Sequence, residues 1–220
     1  MSDPMRLSGP SHGPASGGQA RRLIILLHGI GADGSDLIAL APQLARVLPD
    51  AAFVSPNAPF PCDMAPFGYQ WFSLQDRTPA MMLAGVRAAA PILDGFIDDA
   101  LDGYGLADRD LALVGFSQGT IMSLYVAPRR ERPCAGVVGY SGALIGARDW
   151  PAEVRSRPPV LLVHGDADPV MPFGAMARAA EELRRADIKV EAHRRPGLGH
   201  GIDPTGLELA GKFLASVLAD

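Results

Sequence analysis

Cysteine is scarce in this chain. Cys62 and Cys134 are the two among 220 residues, too few for a disulfide framework, and neither falls in a spacing that would hold a metal ion. Two thiols at that density fit reduced cysteines in a cytoplasmic setting. Long apolar runs are missing too: stretches such as 23–27 fall far below the roughly 18 residues needed to span a bilayer, so a soluble protein is expected. Residues 1–20 are rich in glycine, proline and serine and lack the apolar segment of a secretory signal, which predicts a flexible N-terminal segment before one domain over 21–220. The net charge is only −4, without long runs of like sign. That balance gives no footprint for nucleic acid and no basic amphipathic segment for a membrane surface, so neither partner is expected. A small, uncharged substrate fits better.

What the chain does have is alternation. Short runs rich in valine, isoleucine and leucine recur at 23–27, 52–55, 111–115, 136–140 and 160–164, with a more polar sixth at 189–194. Each is long enough for a strand buried on both faces. Between them, apolar residues three to four apart predict helices over 36–48, 79–101, 118–127, 173–186 and 205–218. The order predicts an α/β fold: a mostly parallel central sheet with helices on both faces. Binding sites in such sheets lie at the carboxyl ends of the strands, which singles out His28-Gly29, 55–61, Ser117, Ser141-Gly142 and 165–169. Two features interrupt the pattern. Pro91 predicts a break or kink in the long helix. The proline-rich stretch 56–74 is too long for a plain connector and predicts a functional loop or lid.

The pentapeptide Gly115-Phe116-Ser117-Gln118-Gly119 falls where a strand gives way to a helix. A pattern of that length arises by chance at roughly 0.15 copies in such a chain, so it needs partners. A serine hydroxyl is a weak nucleophile at neutral pH and requires a histidine base oriented by a carboxylate. Asp168 follows the 160–164 strand, in a loop bounded by glycine and proline, and His200 follows the last strand between Gly199 and Gly201. Asp166 competes as the carboxylate, but Asp168, just before Pro169, is better placed to leave the strand. The order serine, aspartate, histidine is that of α/β-hydrolases. An oxyanion would be met by the backbone amides of Gln118 and, from the loop after the first strand, of Ile30. Gln118 thereby matters through its amide and not through its side chain.

The segments LHGIGADGSDL, SPNAPFPCDMAPFGYQWFSL, GFSQGT, YSGAL, HGDADPVMPF and GHGID follow one another across nearly the whole chain. With them the sequence resembles the phospholipase/carboxylesterase family of α/β-hydrolases, which also contains the acyl-protein thioesterases. The resemblance implies Ser117 as nucleophile, His200 as general base and acid, Asp168 as its partner, and the Ile30 and Gln118 amides as oxyanion donors. It further implies carboxylic ester or thioester substrates with short to medium acyl chains, no metal and no organic cofactor, and a homodimer as a possible assembly. Two departures stand out: Thr120 replaces a second glycine common after the elbow, and the run 64–67 resembles bacterial carboxylesterases more than eukaryotic thioesterases.

The remaining candidates are less specific. Met64, Phe67, Trp71 and Phe72 read equally as an acyl-binding wall or as loop packing. His28 and His164 read as structural, bonding the loops that shape the site, and His12 and His193 receive no role. Asp94, Asp98, Asp99 and Asp102 repeat at helical spacing and read as a solvated face without metal. The expectation is therefore a serine carboxylesterase. Its rivals are a thioesterase or lysophospholipase for longer chains, and a hydrolase-like protein that binds a small ligand without turnover.

Overall fold

The computed structural model describes residues 6–219. In chain order the elements are β1 (Ser11–His12), β2 (Arg22–Leu27), α1 (Gly34–Ile38), α2 (Ala41–Leu44), β3 (Ala51–Val54), β4 (Phe60–Pro61), β5 (Tyr69–Gln70), α3 (Pro79–Tyr104), β6 (Leu111–Phe116), α4 (Gln118–Val126), β7 (Gly136–Tyr140), β8 (Val160–Gly165), α5 (Gly174–Arg185), β9 (Val190–Arg195) and α6 (Pro204–Val217). Seven strands form one sheet in the order β1-β3-β2-β6-β7-β8-β9. Every neighbouring pair is parallel except β1 with β3. The chain winds outward from β2 to β3, then returns to place β6 on the other side of β2. That reversal is a topological switch point at the carboxyl ends of β2 and β6, where ligands of open α/β sheets sit.

Two apolar layers follow from the alternation of side chains along each strand. Leu23, Ile25 and Leu27 of β2 face one layer with α3, α4 and α5, while Ile24 and Leu26 face the other with α1, α2 and α6. All five are fully buried, and each contributes ~1.5–3 kcal/mol through the surface it removes from water. Helix α4 has no polar face: all nine of its residues are buried between the sheet and α3. Helix α3 is long and apolar enough to cross a membrane by length and composition, yet Val86, Ala89, Leu93, Ile97 and Leu101 form a stripe buried against the sheet layer.

The structure bears on four expectations. The N-terminal segment is not flexible throughout: the Ser55 amide donates to Pro10 O and the Asn57 amide to Ser8 O, and Ser11 and His12 pair with Val54 and Phe53. Backbone pairing along the sheet edge outweighs the disorder its composition favours; residues 1–5 of that segment lie outside the described residues. Pro91 does not divide α3, which runs unbroken from Pro79 to Tyr104 because the apolar stripe on either side of the proline keeps one face on the core. The acidic residues do line a solvated face, the side chains of Asp94 and Asp98 being 47% and 62% exposed, but that face also carries an ion-pair cluster. Asp94 and Asp98 contact the guanidinium of Arg130, a buried cation that also binds Asp108. Finally, the stretch 56–74 is tied down by backbone: β4 and β5 form a hairpin, and Tyr69 pairs with Ala32 in the loop after β2.

Candidate active site

Ser117 occupies the turn between β6 and α4 with φ 53° and ψ −114°, a conformation that costs a non-glycine residue ~1–3 kcal/mol. The packing that imposes it is visible at Gly119, where a Cβ would lie 1.8 Å from Leu27 O, so the first turn of α4 presses directly on β2. The Ser117 amide donates to Tyr140 O at 2.9 Å, which fixes the turn to β7. A strained serine at the strand-to-helix turn holds its hydroxyl above the sheet edge, and the amino end of α4 directs its unsatisfied amides there.

Asp168 and His200 arrive from the loops after β8 and β9. His200 Nδ1 lies 2.7 Å from Asp168 Oδ2. The Asp168 side chain is fully buried and that of His200 is 17% exposed. Asp168 Oδ1 accepts from the amides of Val170 and Met171 at 2.9 and 2.8 Å. Burial pushes the Asp168 carboxyl upward, but hydrogen bonds from His200, Met171 and Val170 together hold it below the usual carboxylate range. The ionised carboxylate in turn makes Nδ1 the protonated nitrogen of His200 and leaves the Nε2 lone pair free. The imidazole packs on Phe116, ring centroids 4.8 Å apart, which places it beside the residue preceding Ser117. Gly165 lets the loop return, since a Cβ there would meet Leu198 O at 2.1 Å.

The competing carboxylate has another task. Asp166 accepts from Arg194 Nε and from the Gly197 amide, bracing the turn that leads to His200. His28 is buried between two loops: Nε2 accepts the Ala58 amide at 2.9 Å and Nδ1 faces Gly29 O at 2.7 Å. Burial lowers its pKa, and with the Nε2 lone pair engaged the ring is a neutral brace.

The loop after β2 approaches the elbow closely, for a Cβ on Gly29 would lie 3.3 Å from Ser117 Cβ. In that loop the Gly31 amide donates to Tyr69 O and the Ala32 amide to Gly29 O. Among the described residues the Ile30 amide has no such partner.

The four apolar residues of 56–74 part company. Trp71 and Phe72 are 0% and 2% exposed and belong to the core, with Trp71 Nε1 donating to His28 O. Both side chains pack in the core layer with α3 and α4. Met64 and Phe67 stand on the hairpin tip, 54% and 73% exposed. The Gln118 side chain also departs from expectation. Its Oε1 accepts the Trp71 amide at 2.9 Å and its Nε2 donates to Phe72 O at 2.7 Å, clamping the hairpin to the elbow. Sequence reasoning missed this clamp and the Phe116 contact, and it gave no role to Ser141. The last is a buried residue at φ 46° whose Oγ has no partner among the described residues. Only the place of Ser141 at a strand end marked it in advance.

An elbow serine, a histidine–carboxylate pair after the later strands, and a sheet switch point at the elbow define an α/β-hydrolase. The chain belongs to the phospholipase/carboxylesterase family, whose sequence profile matches residues 14–218. It is similar to the crystal structure of esterase PE8, 42% identical with a TM-score of 0.92 over 97% of this chain and 100% of that one. It is also 29% identical to esterase YpfH of Escherichia coli K12 over 87% of this chain and 81% of that protein. Similarity to acyl-protein thioesterase 1 of Gibberella zeae is 27%, over 61% of this chain, and spans 59% of that protein's length.

Proposed function

We propose that the protein is a serine carboxylesterase acting on short- to medium-chain carboxylic esters. Ser117 Oγ attacks the acyl carbonyl and His200 Nε2 takes its proton. The amides of Ile30 and Gln118 receive the oxyanion, and the imidazolium, steadied by Asp168, returns the proton to the departing alcohol. Water then attacks the acyl-serine by the same route, releasing the acid. No metal or organic cofactor is called for. The observation that carries this reading is the strained backbone of Ser117 at the strand-to-helix turn, a conformation typical of a nucleophile held above a sheet. Its test is hydrolysis of p-nitrophenyl acetate and butyrate. Ser117→Ala is expected to lower kcat/KM by about 10⁴-fold or more while leaving thermal unfolding nearly unchanged. Equal rates in the two proteins would sink the proposal, and a folded wild type that resists a fluorophosphonate probe would favour a ligand-binding role.

A thioesterase or lysophospholipase acting on longer chains is the second reading, favoured by the likeness to a fungal acyl-protein thioesterase. Each buried methylene can contribute ~0.8 kcal/mol, so a panel of acyl esters separates the two. Specificity that keeps rising beyond about twelve carbons would establish the second.

A further inference from the structure

His164 closes a ring of contacts around the aspartate that holds His200. Its Nε2 lies 3.3 Å from Asp168 Oδ2, the same oxygen that receives His200, and 2.9 Å from Met171 O. Both neighbours are acceptors, so Nε2 carries a hydrogen. The side chain is 1% exposed, and its ring meets Phe173 edge-on, centroids 6.0 Å apart, which fixes its plane. Met171 completes the ring by donating its amide to Asp168 Oδ1. Asp168 thus accepts three hydrogen bonds, two backbone amides on Oδ1 and His200 on Oδ2, with the Nε2 edge of His164 lying against Oδ2 while its hydrogen goes to Met171 O. Among the described residues the titratable groups facing it are His164 on β8 and His200 from the loop after β9, while Asp166 turns to Arg194 and Gly197.

We infer that His164 is a positioning residue for the esterase reaction: its bond to Met171 O fixes the segment whose amides hold Asp168, and its polarised Nε2 edge, 3.3 Å from Oδ2, offsets part of that oxygen's charge, so that it sets both the orientation and the basicity of His200. The inference rests on the roles proposed above for Ser117, Asp168 and His200. A core histidine with only a packing role would influence stability alone. One that fixes Met171 and lies against the carboxylate would also influence the proton acceptor, because a carboxylate with less positive charge around it binds an imidazolium more strongly.

The experiment compares wild type with His164→Phe, His164→Asn and His164→Gln, using p-nitrophenyl butyrate for kcat, KM and the pH profile of kcat/KM, and thermal unfolding for stability. His164→Phe is expected to lower kcat about tenfold with KM within about twofold, as for other groups one hydrogen bond removed from the chemistry. The acid limb of its profile is expected to move up by about half a pH unit, the direction that follows from a less neutralised Asp168. His164→Gln, whose amide reaches the position of Nε2, is expected to restore most of kcat and the original limb; His164→Asn, which is shorter, is not. Wild-type kcat and an unmoved limb in His164→Phe would overturn the inference, as would activity lost only in proportion to unfolding. Should the phenylalanine variant fail to fold, the glutamine and asparagine variants decide, and identical kinetics in those two would overturn it. Failure of the underlying reading is distinguishable, for it would show in the wild type as no labelling of Ser117 by the fluorophosphonate.

Discussion

Gln118 shows how much a single residue can be asked to do. Its amide sits at the mouth of α4, while its side chain bonds Trp71 and Phe72, 47 and 46 positions earlier in the chain. Removing the side chain leaves a buried N–H and a buried C=O without partners, at ~1–3 kcal/mol for such groups. Gln118→Ala is therefore expected to destabilise the protein by about 2–3 kcal/mol in urea denaturation. It should also lower kcat/KM by about tenfold, through the hairpin that supports the Ile30 loop. A variant as stable and active as wild type would refute the clamp. Nothing in the spacing of GFSQGT announces this role, because the partners are backbone groups, and which backbone a side chain reaches is settled only by tertiary packing.

At the scale of elements, the loop that carries His200 is closed by an ion pair. Arg195 ends β9, Asp203 precedes α6, and Arg195 Nε and a terminal nitrogen both reach Asp203 Oδ2, at 3.0 and 2.8 Å. Asp203 also caps α6, accepting the Gly206 amide at 2.8 Å. Asp203→Ala removes the cap and the pair together, an expected loss of about 1–2 kcal/mol. The bond from Arg195 holds the Asp203 carboxyl below its ordinary value of 3.8. The ionic share of the stabilisation is therefore fully present above that value and disappears as pH falls through the lower folded pKa. Thermal unfolding across pH should show the gap between variant and wild type constant near neutrality and narrowing under strong acid. The helix start was readable within a residue or two, since proline and aspartate mark such starts; the pairing with Arg195 was not, because it depends on the course of a turn.

For the whole molecule, Arg130 fastens the chain after α4 to two distant places. Its guanidinium meets Asp94 and Asp98 of α3 and Asp108 ahead of β6. The Asp108 side chain is only 4% exposed, so Arg130→Met strands most of a buried carboxylate, though Arg132 still reaches it. About 2–4 kcal/mol of stability should be lost, read as a lower urea midpoint at unchanged slope, and a midpoint within error of wild type would show that the cluster contributes nothing. The order of the longer strands and helices was legible because buried parallel strands advertise themselves as runs such as LIILL, whereas the short β1, the β4–β5 hairpin and the division of 36–48 into α1 and α2 were not. Asp168 and His200 were legible as polar residues just past those runs. Long-range polar contacts were not: Asp94 and Asp98 repeat at the spacing of a solvated helix face whether or not an arginine lies over them.

Thr120 brings the molecule's history into view. Its hydroxyl lies 2.8 Å from both Gly115 O and Tyr140 O, stitching β6 to β7 beneath the elbow. Its methyl fills the room that side chains on two neighbouring glycines would need: a Cβ on Gly139 would meet it at 2.6 Å and one on Gly142 at 2.4 Å. The three positions are consequently not free to drift one at a time. Alanine at 142 collides while threonine stands at 120, and the obstruction eases once 120 is glycine, so the same substitution is harmful or tolerable according to which change came first. Threonine here makes the order of mutation matter at the base of the site.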